Sequence, residues 1–442
     1  LVHVALTESN SRETLVLRFA DVGTATYGSL RIVGQPERTV TWVVEEPLLL
    51  AALEELADAL PEPKPGESVT DALARALGTG PFTTQAAELT LAYRLGVLLL
   101  ADPAWQLLLE CVASPRALLF VSPSARLARV PWGLLAVPTV RPAAEDLVRA
   151  RVAAITQEGP TPARIPWGSN DIHSMTEGYR LMELVEVLMS VPANIVHGQR
   201  SPVAWARRAD RAPLLVLDPR VPNQRPDSTL GSVLGRPAPD TLLAQHFGRL
   251  AARTAVWPAV AAAVELFRRT DADWSWLAAM LAKEPSRLLF VGHATAADSG
   301  RAAQAALHVA DERPLTASDV MSLQLTMPPR VALLACASGG DYRFDEATGL
   351  VAAIVLGGAQ LVTATLWSLP TTAGYREFAR SPFGDPMAEA VIAVDDAHQT
   401  AEAGCAVNAW QRAQMRQWRD GAAAVSPVYW AALVTFSVDG AR

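Results

Sequence analysis

Two short apolar runs, each ending on a reactive side chain, constrain this chain more than any other feature. The first is RLLFVGHA, residues 287–294, and the second is RVALLACASG, residues 330–339. Both open on an Arg and are bounded by Pro or Gly, which suits strands buried on both faces of a parallel sheet. His293 and Cys336 then stand at the carboxyl ends of those strands. Open parallel sheets bind ligands at that edge, because the strands stop there and the loops open a crevice. The two residues are 43 positions apart, enough for a crossover that returns the second strand parallel to the first. Side by side they form a candidate nucleophile and base. The competing reading is a pair of core residues, since Cys is among the most often buried side chains.

Composition bounds what such a pair can serve. The chain has 442 residues, half of them hydrophobic and 19% charged, so it is long enough for two or three domains and is globular. A net charge of −7 argues against nucleic acid as the main partner, because phosphate neutralisation needs a basic surface. Three cysteines, Cys111, Cys336 and Cys405, fit a reducing cytoplasm better than a disulfide framework. Cys111 lies in an apolar run and reads as core; Cys405 has no evident partner. The chain opens on Leu1 without a secretory leader, and the missing initiator Met leads us to expect a trimmed start with residues upstream. Residues 347–370 carry no full charge after Glu346 and are long enough to cross a bilayer. The paired Gly357 and Gly358, with Gln360 and several Thr beyond, instead indicate a buried helix over 348–356, a turn and a buried strand over 360–366. No membrane contact is expected.

Along the chain, residues 1–45 alternate apolar and polar over 2–6, 14–19, 29–33 and 39–44, with turn residues between, which predicts a small antiparallel meander. Helices are expected over 47–60, 68–77 and 84–112, with a Pro-rich linker at 61–66. No 34-residue self-similarity indicates tetratricopeptide repeats. From residue 115, strands alternate with helices: strands at 117–121 and 213–219, helices at 179–190, 240–253 and 273–282, then the His293, Cys336 and 360–366 strands and a terminal strand-like run at 427–436. Residues 219–240 and 376–424 read as long polar loops.

These motifs, in this order, resemble the CHAT family of caspase-like cysteine peptidases of clan CD. The resemblance covers residues 117–440. It rests on the strand at 117–121 followed by PWGLL at 131–135, on LLVLDP at 214–219, FVGH at 290–293, LTASDV at 315–320 and LLACASG at 333–339. It also rests on GGAQLVTATLW at 357–367, which matches the family's G-A-x-x-V-x-x-x-L-W, and on PVYWAA at 427–432. The resemblance implies an α/β fold with a caspase-like, mainly parallel sheet flanked by helices, preceded by the small β-meander and a helical N-terminal region. We expect residues 1–114 to hold the meander and helices, 115–235 the first, non-catalytic half of the α/β region, and 236–442 the catalytic half.

The same resemblance implies a cysteine endopeptidase, bacterial, with His293 and Cys336 as a catalytic dyad and no cofactor or metal. The backbone N–H groups of Ala294 and Cys336 would stabilise the oxyanion. A free thiol with a pKa near about 8.5 is mostly protonated at neutral pH, so the imidazole must remove its proton. Two departures stand out: Ala294 replaces the family's usual Gly, and the Asp often found shortly after the Trp is absent after Trp367, where Ser368 follows. Substrate would be a protein lying extended along a strand edge, for which the segment from Trp367 to Pro370 is the candidate. Asp345 and Glu346 are candidates for an acidic pocket that takes a basic P1 side chain, or for carboxylates capping the helix at Thr348. Asp298 is equally ambiguous. His173 and Glu177 lack a third metal ligand and read as a solvated face, and Asp210 with Arg207, Arg208 and Arg211 reads as a surface charge cluster. Family members often act in bacterial defence or programmed death under an upstream sensor protein. The alternative is a homologue without catalysis that serves as a scaffold, docking through the amino-terminal meander.

Overall fold

A computed structural model describes residues 12–113, 115–156, 171–224, 231–295, 302–335, 338, 349–380 and 383–442. Its frame is a ten-stranded sheet. In chain order the strands are β1 (Thr14–Val22), β2 (Ala25–Ile32), β3 (Gln35–Glu45), β4 (Leu118–Ser122), β5 (Glu186–Ser190), β6 (Leu214–Leu217), β7 (Arg287–Val291), β8 (Ala294–Thr295), β9 (Ala306–Leu307), β10 (Leu315–Thr316), β11 (Arg330–Leu334), β12 (Leu361–Thr365) and β13 (Leu433–Ser437). The large sheet runs β3-β2-β1-β4-β5-β13-β12-β11-β7-β6, and β8 to β10 form a separate small sheet.

The continuous apolar runs become the strands buried on both faces: every residue of β6, β7, β11 and β12 is buried. β6, β7, β11 and β12 are mutually parallel, as are β1, β4, β5 and β13. The two sets meet at β12 and β13, which pair antiparallel, so the sets point in opposite directions. The expected meander forms as β1 to β3, paired antiparallel, and β1 also pairs parallel with β4, which makes the meander an extension of the central sheet. Phe19 of β1 stacks on the buried Trp132 of the PWGLL turn at 5.1 Å between ring centroids, locking that extension in place. The run at residues 2–6 lies outside the described residues.

Three expectations are corrected. The strand-like run at 427–436 opens on a short helix, Pro427–Trp430, and only Leu433–Ser437 is strand. Residues 179–190 were expected to be helical, yet only Leu181–Leu184 is, and the rest is the strand β5, held between β4 and β13. Its apolar spacing fits both structures, and the two neighbouring ladders decide for the strand. Residues 376–424 were expected to form a polar loop, but the helices Pro386–Ala397 and Ala403–Arg419 occupy most of it. Two polar residues of the second helix face inward and satisfy backbone groups. Asn408 accepts from the N–H of Val187 and donates to its carbonyl, and Gln411 donates to the carbonyls of Trp430 and Leu433.

The arginines that open β7 and β11 are buried at the amino ends of those strands. Arg287 donates to Asp395, and Arg330 donates to the carbonyls of His398 and Ala401 and lies 4.0 Å from the Trp205 ring. His398 sits among them with Nε2 2.8 Å from Thr363 Oγ1. Burial, with the charges of Arg330 and Arg287 added, pushes its pKa down to about 3. The unfolded chain therefore takes up a proton below about pH 6.5 that the folded chain refuses, and stability falls as the pH drops from there toward 3. Urea unfolding at pH 7.5, 6 and 5 is expected to show a loss of up to about 1.4 kcal/mol per pH unit from this group. His398→Gln, which keeps a hydrogen-bonding side chain without a titrating ring, is expected to flatten the slope; equal slopes in the two proteins would exclude His398 as its source.

Candidate active site

β7 and β11 are parallel neighbours, with Val291 opposite Leu334. His293 therefore follows its strand by the same two positions as Cys336 follows its own, and the Gly292 N–H already bonds to the Leu334 carbonyl at 3.3 Å. Cys336 itself lies outside the described residues, as do Asp298, Asp345 and Glu346. Ala335 and Ser338, before and after Cys336 in the chain, are held. The Ala335 carbonyl accepts from the Ser338 N–H at 3.1 Å and from the Thr365 hydroxyl at 2.5 Å, while the Ser338 hydroxyl donates to the Leu333 carbonyl at 2.7 Å. This strapping ties the end of β11 to β12.

His293 is buried, and its Nε2 lies 2.6 Å from the carbonyl oxygen of Gly231. A carbonyl only accepts, so Nε2 carries a proton, and in the neutral imidazole the lone pair is then on Nδ1. Among the described residues Nδ1 has no hydrogen-bond partner. The His293 carbonyl accepts from the His308 N–H at 3.0 Å, and the His308 ring bonds the Thr295 hydroxyl at 2.6 Å. Burial, then the proximity of His293, holds His308 below the usual histidine pKa, which favours its neutral form. Ala294 begins β8, opposite Leu307, and is not among the residues with positive φ, so its Cβ meets none of the strain that would call for Gly. The contacts of Gly231 and His308 with His293 carried no signal in the sequence, because they are made by a backbone carbonyl and a backbone N–H.

The structure does not gather the other described candidates here. It places Trp367 in the core, fully buried, with its indole N–H donating to the Val428 carbonyl at 2.8 Å. β12, which leads into it, is an inner strand, paired on both sides and so not an open edge for substrate. The Ser368 N–H bonds to Glu62 at 2.7 Å. His173 and Glu177 are exposed, and among the described residues no third ligand joins them. Arg208 is buried and, with Arg211, pairs with Glu284. Among the described residues one group has the composition of a metal site, His246, Asp395 and Asp396. It does not suit a cation, because Asp395 is shared between His246 at 2.9 Å and the Arg287 guanidinium at 2.8 Å. Among the described residues no helix is long and apolar enough to cross a membrane.

Two crystal structures of the Saccharomyces cerevisiae separase-securin complex, at 3.0 and 2.6 Å, share 8% and 10% identity with this chain, with TM-scores of 0.41 and 0.35. Each alignment covers 96% of this chain and 30% of the matched one, so this chain spans about 30% of that length. No curated protein matches the sequence. The CHAT domain matches residues 90–437, more than three-quarters of the chain, and the protein therefore belongs to the CHAT family.

Proposed function

We propose that this protein is a caspase-like cysteine endopeptidase acting through Cys336 and His293. The observation that supports the reading is the His293 ring just past the carboxyl end of β7, with Nε2 bonded to the Gly231 carbonyl, Nδ1 without a hydrogen-bond partner among the described residues, and the parallel strand that leads to Cys336 alongside. Nδ1 takes the thiol proton as sulfur attacks the peptide carbonyl, forming a C–S bond and a tetrahedral oxyanion. The N–H groups of Ala294 and Cys336 stabilise that oxyanion. Collapse breaks the C–N bond, and the imidazolium returns its proton to the leaving amine. Water, deprotonated by the same nitrogen, then hydrolyses the thioester and restores the thiol. The substrate in this reading is an extended protein segment, and control by an upstream sensor or activator protein, in bacterial defence or programmed death, accords with the family.

A diverse peptide library incubated with purified protein tests the reading. Wild type is expected to cut after a consistent P1 residue, and His293→Ala to lose at least about 10³-fold in rate. Cleavage by His293→Ala at the wild-type rate would overturn the assignment of the base.

A further inference from the structure

The carbonyl that orients His293 belongs to Gly231, in a segment between β6 and the helix Leu242–Arg253 whose described residues form neither helix nor strand. A backbone group in such a segment holds a fixed direction only if something fastens it. The three residues after Gly231 all fasten to one side chain, Asp218. The Ser232 hydroxyl donates to Oδ2 at 2.5 Å, the Val233 N–H to Oδ1 at 3.3 Å and the Leu234 N–H to Oδ2 at 3.5 Å. Arg268 adds a guanidinium bond to Oδ1 at 3.2 Å, which balances the buried charge.

Asp218 is also tied to the strand that carries the histidine. It is the first residue after β6, fully buried, and its own N–H donates to the Val291 carbonyl of β7 at 2.6 Å, two residues before His293. Its backbone takes the left-handed conformation, φ 52°, and Arg268, its ion-pair partner, does the same with φ 53°. Side chains other than Gly adopt that conformation at a cost, and such residues persist where the surroundings over-determine them. Here the return is direction: the turn aims the carboxylate at the three donors of residues 232–234.

We propose that Asp218 is a positioning residue for the proposed base. Its carboxylate pins residues 232–234 to the end of β6, and so holds the Gly231 carbonyl where it fixes the tautomer and ring angle of His293. This inference rests on the reading of His293 as the base. Only a carboxylate suits the place. Asn has one acceptor oxygen and turns an NH2 toward a donor, and Ala accepts nothing. Loss of the anchor leaves β7 and the nucleophile's strand in place and frees the ring to turn or to move its proton to Nδ1.

The experiment compares wild type, Asp218→Asn, Ser232→Ala and His293→Ala, each first shown to be folded by thermal unfolding. Ser232→Ala removes the shortest link from a partly exposed residue and covers the case in which Asp218→Asn does not fold. Nitrogen-15 NMR on histidine-labelled protein, with the His293 signals assigned by their absence in His293→Ala, reads the tautomer without any substrate. Wild type is expected to hold a single Nε2–H form at His293, and both anchor variants to show a mixture. On a peptide that wild type cuts, kcat is expected to fall by about 100-fold in Asp218→Asn with KM nearly unchanged, since misplacing a catalytic group costs about that much. A folded anchor variant that keeps the wild-type tautomer, or the wild-type kcat, overturns the inference. Unchanged cleavage by His293→Ala would instead overturn the function reading, and the tautomer result would still decide what Asp218 does.

Discussion

Iodoacetamide near pH 7 is expected to label Cys336 and to leave Cys111 and Cys405 unmodified, and Cys336→Ala is expected to lose both the label and peptide cleavage, the latter by at least about 10³-fold. The argument starts from the two other thiols. Burial, with Glu13 beside it, pushes Cys111 up to about 11. Burial, then the carboxylates of Glu186 and Glu402, pushes Cys405 up to about 11 as well, against the pull of Arg12. At pH 7 each is thiolate about once in ten thousand, and thiolate is the form that reacts. Cys336 comes two residues after β11, as His293 comes two residues after the parallel neighbour β7, and in the proposed reading the His293 ring nitrogen without a hydrogen-bond partner among the described residues takes the thiol proton. Labelling needs no substrate and no activator, so it separates a resting enzyme from a chain without a reactive thiol. Equal labelling of the three cysteines, or cleavage that survives in Cys336→Ala, would sink the nucleophile assignment.

The second large effect is on stability. Asp395→Ala is expected to destabilise the fold by about 3–5 kcal/mol, because removing one partner of a buried ion pair leaves the other charge uncompensated. Asp395 is 1% exposed and Arg287 5% exposed, so water cannot replace the lost carboxylate. The carboxylate also holds His246 at 2.9 Å and Gln399 at 3.1 Å, which fastens the helix Pro386–Ala397 and the helix Leu242–Arg253 to the amino end of β7. Burial alone would raise the Asp395 pKa, but the bonds from His246 and Arg287 win and hold it below 3.8. Its stabilising effect is therefore complete above the pKa of the unfolded chain, about 3.9, and is lost as the pH falls through the lower folded value. Urea unfolding at pH 7 measures the cost, and a change below about 1 kcal/mol would show that the pair is not what secures β7. Replacing the pair together by Met and Leu is expected to recover much of the loss, since well-packed apolar residues often match a buried ion pair.

How much of this protein the amino-acid sequence determined depends on the kind of information each part needed. β6, β7, β11 and β12 were legible because a strand buried on both faces must be a short, unbroken apolar run, and the Gly pair at 357 and 358 marked where the helix Leu350–Leu356 turns into β12. The positions of His293 and Cys336 at the ends of their runs were legible for the same reason. The helices over residues 386–419 were not, because Asp395, Asn408, Gln411 and Arg412 read as solvent-facing and are buried against distant backbone and charges. β5 and the reversal of direction between the two parallel sets depended on neighbours that local periodicity does not report. The segment from Trp367 to Pro370 read as a strand edge for an extended substrate because it follows a strand, but in the tertiary structure Trp367 is buried with its indole N–H on Val428 of the short helix Pro427–Trp430. The orientation of His293 was decided last, by a carbonyl 62 residues away, on a segment held by Asp218. Side-chain patterns record which residues leave water, but a backbone group acquires its partner only when the chain has folded.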